Sequence, residues 1–349
     1  MKAKERRDMT AGWVVFLLIA VLGLLYVKWT PYWNRAFVAA ANHSIGKSIL
    51  MRDAASPPAP SWSAAVDYAW AYGKAIWQAM VVGLLLGSAV QALLPSQWIL
   101  RWLGRINTGS VLRGAALAVP GMMCTCCAAP VVVGLRKANA SAGAAIAFWL
   151  GNSVLNPATL VFIGFVLGWR WSALRLVLGI VAVLGLGLVA NRMGTPEEAA
   201  AAEQQLADIR PAPRGNLFTR WLAILARLAL WLLPEYIVLV LVLGAARAWL
   251  FPHVGPEVDD GLVWILAFAI AGTLFVIPTA GEVPIIQAML SLGVGVGPAA
   301  ALLMVLPPIS VPSLAMVGRA FRPRLLATVT VGIVTVGVVG GVAAVILHF

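Results

Sequence analysis

The chain has 349 residues, of which 61% are hydrophobic and only 11% are charged. Soluble domains carry about a quarter charged residues, so this composition excludes an ordinary soluble protein and favours an integral membrane protein. The formal net charge of +12 would suit a nucleic-acid partner, but the sequence has no motif typical of DNA or RNA binding. Many arginines instead lie in short connections at the ends of apolar runs, where basic residues mark the cytoplasmic side of a membrane.

Long apolar runs recur along the whole chain and predict membrane-spanning helices. A helix needs about 20 apolar residues to cross a bilayer, and the alternation expected of a membrane barrel is absent. Taken with their flanking residues, the runs are 12–26, 79–94, 174–190, 237–250, 261–277 and 325–347. We therefore predict an all-α polytopic membrane protein.

The first apolar run is interpreted as a retained helix rather than a cleaved signal peptide. It is long, no small-residue cleavage site follows it, and Trp29, Tyr32 and Trp33 are typical of an interfacial aromatic belt. The stretch 32–51 is mildly amphipathic and is expected to lie along the membrane surface. We predict four units: an N-terminal helix with its outer connection (1–62), a first repeat (63–193), a cytoplasmic linker (194–216) and a second repeat (217–349).

The distribution of basic residues predicts the orientation of the spans. Basic residues before position 8 put the N-terminus in the cytoplasm, and those within 101–113, 192–220 and 319–324 mark the same side. With these anchors the two repeats run in opposite directions, which is a common construction of transporters. Arg170 and Arg175 fall on the predicted outer side and depart from the pattern.

Two proline-bounded segments interrupt the apolar runs, one in each half. Residues 120–130 read Pro-Gly-Met-Met-Cys-Thr-Cys-Cys-Ala-Ala-Pro and contain every cysteine of the chain, and residues 278–284 read Pro-Thr-Ala-Gly-Glu-Val-Pro. Irregular backbone at membrane depth must be buried in protein or line a cavity. We therefore predict broken or re-entrant helices that meet at the bilayer midplane. The prolines expected in the first turns of the half-helices are Pro130, Pro157, Pro284 and Pro312.

The three cysteines are predicted to bind a soft ligand. Helix N-termini aimed at the centre carry partial positive charge, which favours the thiolate that binds soft metals and trivalent metalloids. In an extended segment Cys124 and Cys126 would point the same way and share one soft atom, whereas Cys127 would point elsewhere unless the chain turns. The alternative is that all three are small apolar packing residues.

Other polar residues at the breaks are candidates for contact with a solute or for capping a half-helix. Glu282 and Glu235 are costly at membrane depth, so both are candidates for proton coupling, with a structural hydrogen bond as the alternative. The full set of predicted solute-binding residues is Cys124, Cys126, Cys127, Asn152, Asn156, Glu282, Gln287 and Ser310. Capping is the commoner role of Asn and Ser.

At these residues the chain resembles a broad bacterial family of predicted permeases, some of whose members are organoarsenical efflux permeases. The family's first motif has the form Pro-x-Cys-Ser-Cys-x-x-Ile-Pro, and here Cys-Thr-Cys at 124–126 stands at the same offset from Pro130. The second motif is similar to segments 277–290 and 322–327. The chain departs from the first motif through two extra residues ahead of the cysteines, a threonine in place of serine and a third thiol at Cys127.

The resemblance and the paired breaks predict a secondary-active permease that exports a thiophilic solute, such as a trivalent organoarsenical or a soft metal ion. The sequence has no Walker-type phosphate loop, so we expect no ATP hydrolysis, no enzymatic activity and no cofactor. Two alternatives stay open: a permease for an anionic or small organic solute with incidental thiols, and a membrane thiol–disulfide redox protein. We expect a multi-pass protein of the bacterial inner membrane, in contact with lipid and its solute, without a nucleic-acid partner and compatible with a homo-oligomer.

Overall fold

The computed structural model describes residues 2–50, 57–194 and 217–349, and within these ranges it is helical without extended strands. Six of its helices are long and apolar enough to cross a membrane, and two shorter apolar helices accompany them. The prediction of an all-α polytopic protein is confirmed. The predicted linker, apart from Gly194, lies outside the described residues.

The N-terminal helix is longer than predicted. α1 (Lys2–Leu24) passes through a π turn (Leu25–Trp29) directly into α2 (Thr30–Asn42), so the stretch expected on the membrane surface begins as a continuation of the first helix. Pro31 lacks the N–H that an α-helix would direct to the carbonyl of Val27, and the wider π turn immediately before it accommodates that interruption.

The first half contains two long helices with shorter ones between them. Its elements are α3 (Trp62–Ala92), α4 (Ser96–Ile99), α5 (Thr108–Ala118), α6 (Thr125–Lys137), α7 (Ala142–Val154), α8 (Pro157–Val166) and α9 (Trp169–Arg192). Side-chain oxygens of Ser61, Asn107, Ser141 and Asn156 accept hydrogen bonds from the first turns of α3, α5, α7 and α8. These N-caps satisfy backbone donors that have no partner within the helix, and so determine where each helix begins.

The second half follows the same order. Its elements are α10 (Leu217–Leu250), α11 (Leu262–Leu274), α12 (Glu282–Ser291), α13 (Val296–Val305), α14 (Val311–Val317) and α15 (Pro323–Ile346). The packing also recurs, because α7 contacts both α5 and α9 just as α13 contacts both α11 and α15. This order is compatible with two repeats, whose inverted orientation in a membrane stays a prediction.

The two halves interlock beside the breaks. α10 packs along α3, α14 packs against α6, and α12 packs against α8. Two glycines let α3 approach α6 at backbone distance: a Cβ at Gly83 would lie 2.1 Å from the carbonyl oxygen of Cys127, and a Cβ at Gly87 would lie 2.3 Å from that of Pro130. The first turns of α6 are therefore held against α3 by direct backbone contact.

Candidate solute site at the two breaks

The first break brings two of the three thiols together. A 3-10 turn at Val119–Gly121 leads into Met122, whose φ is 48°, and α6 begins at Thr125 immediately after an extended residue, Cys124. The sulfur atoms of Cys124 and Cys127 are 2.8 Å apart, and both side chains are buried. The break thus presents a close pair of thiols in the interior of the protein.

The extended segment in which Cys124 and Cys126 would point the same way is not formed, because the chain turns into a helix directly after Cys124. One helical turn returns position 127 to the side of position 124, whereas the Cys126 sulfur lies 3.7 Å from the Ser310 hydroxyl. Pro130 does not lie in the first turn of the half-helix either. It is the sixth residue of α6, where it cannot donate to the carbonyl of Cys126.

The other three prolines lie in the first turns of their helices. Pro157 is the first residue of α8, Pro312 the second of α14, and Pro284 the third of α12. At these positions the missing N–H has no partner to lose. Across the described ranges, no three cysteine, histidine or acidic side chains converge in a way that could hold a metal ion.

The second break lies opposite the thiol pair. The chain leaves α11 at Leu274, makes a turn in which Ala280 has a φ of 64°, and enters α12 at Glu282. Cys124 from the first break and Thr279 and Glu282 from the second line one cavity of about 10 Å³, which is room for a single water molecule. The two breaks therefore enclose one small chamber, which is closed to larger solutes in this conformation.

A buried ion pair connects the second break to the first half. The guanidinium of Arg175 on α9 lies 2.8 Å from the carboxylate of Glu282, and these side chains are 1% and 2% exposed. The same guanidinium donates to the carbonyls of Ser153, Val154 and Leu303. Arg175 departs from the charge pattern because it neutralises an internal carboxylate. An arginine on the predicted outer side of a span was the sequence signal that could have identified this residue.

The π turn of the N-terminal helix contacts both breaks, which sequence analysis missed. Nζ of Lys28 lies 3.0 Å from Oγ1 of Thr279 and 3.2 Å from the Tyr32 hydroxyl, and this lysine is only 5% exposed. The indole of the next residue, Trp29, donates to the carbonyl of Pro120 over 2.8 Å. A single lysine in an otherwise apolar run was the available signal, since such residues mark functional sites in membranes.

Two buried tyrosines satisfy the unwound backbone of the second break, and a third supports one of them. The hydroxyl of Tyr68 donates to the carbonyl of Val276, and that of Tyr72 donates to the carbonyl of Ile277 over 3.5 Å. Tyr236 on α10 donates to the Tyr72 hydroxyl over 2.7 Å. Because an unpaired carbonyl is costly inside a membrane, these hydroxyls stabilise the non-helical segment.

Three buried polar atoms near the breaks have no hydrogen-bond partner within the described residues, namely Oδ1 of Asn152, Nδ2 of Asn156 and Oγ1 of Thr159. Asn156 uses its other atom, Oδ1, to cap α8, and the amide of Asn152 donates to the carbonyl of Phe148. Thr159 lines the chamber. Unpaired buried polar atoms are rare in native proteins, and these are available for contact with a solute.

The remaining candidates have structural partners. Ser310 caps α14 and faces Cys126. Gln287 lies away from the chamber, where its amide donates to the carbonyl of His43 over 2.9 Å. Glu235 also lies away from it, in a partly exposed ion pair with Arg319 at 3.0 Å. The structure therefore brings Glu282 to the thiols but not Gln287 or Glu235.

Long apolar helices around two opposed breaks define a multi-pass membrane protein of the permease class. The chain belongs to a family of predicted permeases, whose model matches residues 74–349. It is 50% identical over 332 residues to UPF0718 protein YraQ of Escherichia coli (strain K12), with 94% of each chain covered. It is also 23% identical over 338 residues to UPF0718 protein MJ0584 of Methanocaldococcus jannaschii, covering 77% of this chain and 92% of that protein. No solved structure matches.

Proposed function

We propose that this permease exports a thiophilic solute, a trivalent organoarsenical or a soft metal ion, and that Cys124 and Cys127 bind its soft atom. The 2.8 Å separation of their sulfurs is the observation that carries the proposal. Trivalent metalloids and soft metal ions prefer sulfur ligands. Both thiols are buried, and Cys124 lines the chamber together with the second break, which supports a site at the centre of the transport path.

The number of converging thiols favours a monosubstituted trivalent arsenical among these solutes. Such a compound, R–As(OH)2, has two exchangeable positions. Cys124 and Cys127 would form two As–S bonds as two As–O bonds break, and the thiol protons would leave with the hydroxyl groups as two water molecules. Arsenic stays trivalent, so the step needs no oxidant or reductant. Cys126 faces Ser310 instead, which disfavours solutes that require three thiols.

The charge distribution supports an inner-membrane protein with a cytoplasmic N-terminus. Arg136, Arg319 and Arg322 line one cavity of about 370 Å³ together with Gly194, at the start of the linker predicted to be cytoplasmic. A concentration of basic residues at one end of a membrane protein is typical of the cytoplasmic side. Export would then carry the solute away from this end.

Proton coupling is assigned to Glu282 rather than Glu235, because Glu282 lines the chamber and is buried while Glu235 lies away from the chamber and is partly exposed. Release of Glu282 from Arg175 in an alternative conformation would let it take up a proton. Glu282→Gln should therefore weaken the pH dependence of uptake into everted vesicles, and Glu235→Gln should leave it intact. Unchanged pH dependence in both variants would remove this assignment.

The test of the thiol site is uptake of trivalent methyl- and phenylarsenicals and of soft metal ions by everted vesicles. Cys124→Ser and Cys127→Ser should each reduce the initial rate at low solute concentration by at least about tenfold, which corresponds to about 1.4 kcal/mol of binding. Cys126→Ser is the matched control, because it removes a buried thiol of the same helix turn that faces away from the pair. Equal losses in all three variants at equal expression would reject the pair as the binding site.

A redox protein is the second candidate, because Cys124 and Cys127 have the C-x-x-C spacing at a helix N-terminus that is found in thiol–disulfide exchange proteins. In that case Cys127→Ser should accumulate a mixed disulfide between Cys124 and a partner thiol, detectable by non-reducing electrophoresis. The closed chamber disfavours this candidate, since exchange requires access to the attacked sulfur. Vesicle uptake without any trapped mixed disulfide would reject the redox candidate and leave the permease as the remaining function.

A further inference from the structure

A second, larger cavity lies beside the thiol chamber. It has a volume of about 590 Å³ and lies between the N-terminal helix, α3 and the second break. We name it the vestibule, and its polar lining includes Lys28, Arg35, Lys47, Ser48, Gln78 and Thr279. The turn of the second break, residues 278–280, lines the vestibule and the thiol chamber at the same time. A solute in the vestibule is therefore separated from the thiols by this turn.

Among the described residues, the lining of the vestibule has positive side chains and no negative ones. Two lysines and one arginine line it, whereas no aspartate or glutamate of the described ranges does. Arg35 is held in place by a 2.8 Å hydrogen bond to the carbonyl of Ile45. Low-dielectric walls around charges of one sign strengthen their field, so the cavity attracts anions and repels cations.

Lys28 is the most informative of these groups, because it is buried and has no carboxylate partner among the described residues. Its ammonium donates to the hydroxyls of Thr279 and Tyr32 and lies 5.1 Å from the centre of the Tyr32 ring. No carboxylate in the described part of the chain pairs with it. Burying an ammonium without a carboxylate partner costs several kcal/mol, and an anion bound in the vestibule would reduce this cost.

Ser48 supplies an independent indication. Its side chain is only 4% exposed, it lines the vestibule, and its hydroxyl has no hydrogen-bond partner within the described residues. A buried hydroxyl without a partner loses the hydrogen bonds that it makes in water. An oxygen atom of an anion is the type of acceptor that this donor lacks.

We propose that the vestibule is an anion-binding antechamber in which Lys28 and Ser48 recognise a carboxylate or similar oxyanionic group on the solute. The inference rests on the proposed function in that the soft atom of the same solute goes on to bind Cys124 and Cys127. Lys28 comes from the N-terminal helix, which precedes the matched family range of 74–349. The N-terminal helix would therefore determine the charge of the solute that is accepted.

The experiment compares two trivalent arylarsenicals, phenylarsine oxide and its 4-carboxy derivative, as solutes for everted or right-side-out vesicles made with zwitterionic lipid. For each protein the measured quantity is the ratio of the KM for the carboxylate to the KM for the neutral compound. Lys28→Gln should raise this ratio by at least about tenfold, the scale of one lost hydrogen bond to a charged group. Lys28→Arg should restore most of the preference.

Lys74→Gln is the matched control, because Lys74 is an exposed lysine of α3 that contacts the Trp70 ring and does not line the vestibule. Its ratio should equal that of the wild type. If Lys28→Gln does not fold, Ser48→Ala carries the test, since the Ser48 hydroxyl has no partner to lose. It should raise the ratio by about threefold, as expected for a hydrogen bond from a neutral donor.

A second arm separates this inference from the proposed function. Benzoate, which has the carboxylate but no arsenic, should stabilise the purified wild-type protein against heat and should not stabilise Lys28→Gln. If no arsenical is transported but benzoate binding depends on Lys28, the proposed function fails and the antechamber stands. If benzoate has no effect and Lys28→Gln changes both KM values equally, Lys28 affects binding at the thiols rather than recognition of the carboxylate. The inference is then overturned. Stabilisation by phosphatidylglycerol but not by benzoate would also overturn it, in favour of a lipid headgroup site.

Discussion

The two breaks interrupt their helices at equivalent points, but different interactions stabilise them. The first is held mainly by backbone contact, since Gly83 and Gly87 of α3 touch carbonyls of α6, and one indole hydrogen bond from Trp29 to the Pro120 carbonyl adds to it. The second is held by side chains, namely two tyrosine hydroxyls that donate to its unwound segment, a third tyrosine that donates to one of them, and the ion pair between Arg175 and Glu282. Backbone packing needs no functional groups, so it leaves the thiols of the first break available for a ligand.

This difference also predicts that the second break is more mobile than the first. Backbone contacts at glycine tolerate little displacement, because interiors are close-packed. An ion pair and hydroxyl hydrogen bonds can instead be exchanged for other partners during a conformational change. We therefore expect the thiol pair to stay in place while the second break moves to open the chamber.

Removal of Arg175 should be the most damaging change at the second break. Arg175→Met leaves Glu282 buried without its partner and also removes donors to three carbonyls. Loss of one partner of a buried ion pair costs about 3–5 kcal/mol. The folded fraction that survives heating in detergent, followed by size-exclusion chromatography, should fall sharply.

Arg319→Met is the control for this prediction, because it breaks the partly exposed pair with Glu235. Such pairs contribute about 0–1 kcal/mol, so its melting temperature should stay near that of the wild type. Equal destabilisation by the two variants would mean that the second break does not depend on its ion pair.

The first break should respond to a change that adds only a methyl group. A Cβ at Gly87 would lie 2.3 Å from the carbonyl oxygen of Pro130, so Gly87→Ala should cost about 1–3 kcal/mol through overpacking. Gly73→Ala on the same helix is the matched control, since nothing lies within 4 Å of its Cβ position. Alanine should be neutral or stabilising there by up to about 1 kcal/mol. The same thermal assay measures the stability of both variants. A Gly87→Ala protein as stable as the wild type would contradict backbone contact as the basis of this break.

Trp29→Phe should have the mildest consequence of the three. It removes the hydrogen bond from the indole to the Pro120 carbonyl but keeps an aromatic ring in the π turn. One such bond contributes about 0.5–1.5 kcal/mol, so overall stability should change little. Hydrogen exchange of the backbone amides around residues 121–123 should nevertheless become faster. Unfolding of the whole protein would instead show that side chains as well as backbone hold the first break.

Local chemistry was sufficient to predict much of this molecule. The apolar runs predicted the membrane helices, since their length and composition are properties of each segment alone. Prolines located three of the four helix starts, because a missing N–H is tolerated only in a first turn. Pro130 misled because the α-helix began five residues earlier, and nothing within the motif distinguishes a proline at the start of α6 from one inside it.

The partners of the site residues could not be predicted in the same way. The pairing of Cys124 with Cys127 depends on where α6 begins, and the partners of Glu282 and Thr279 come from α9 and the N-terminal helix, which are distant in sequence. Composition and periodicity describe how a segment behaves in lipid or water, whereas a contact between remote segments exists only when packing closes them around a common space. For this permease that space is the chamber between the breaks. Which side chains line it is determined by the packing of the helices around it and could not be predicted from any one segment.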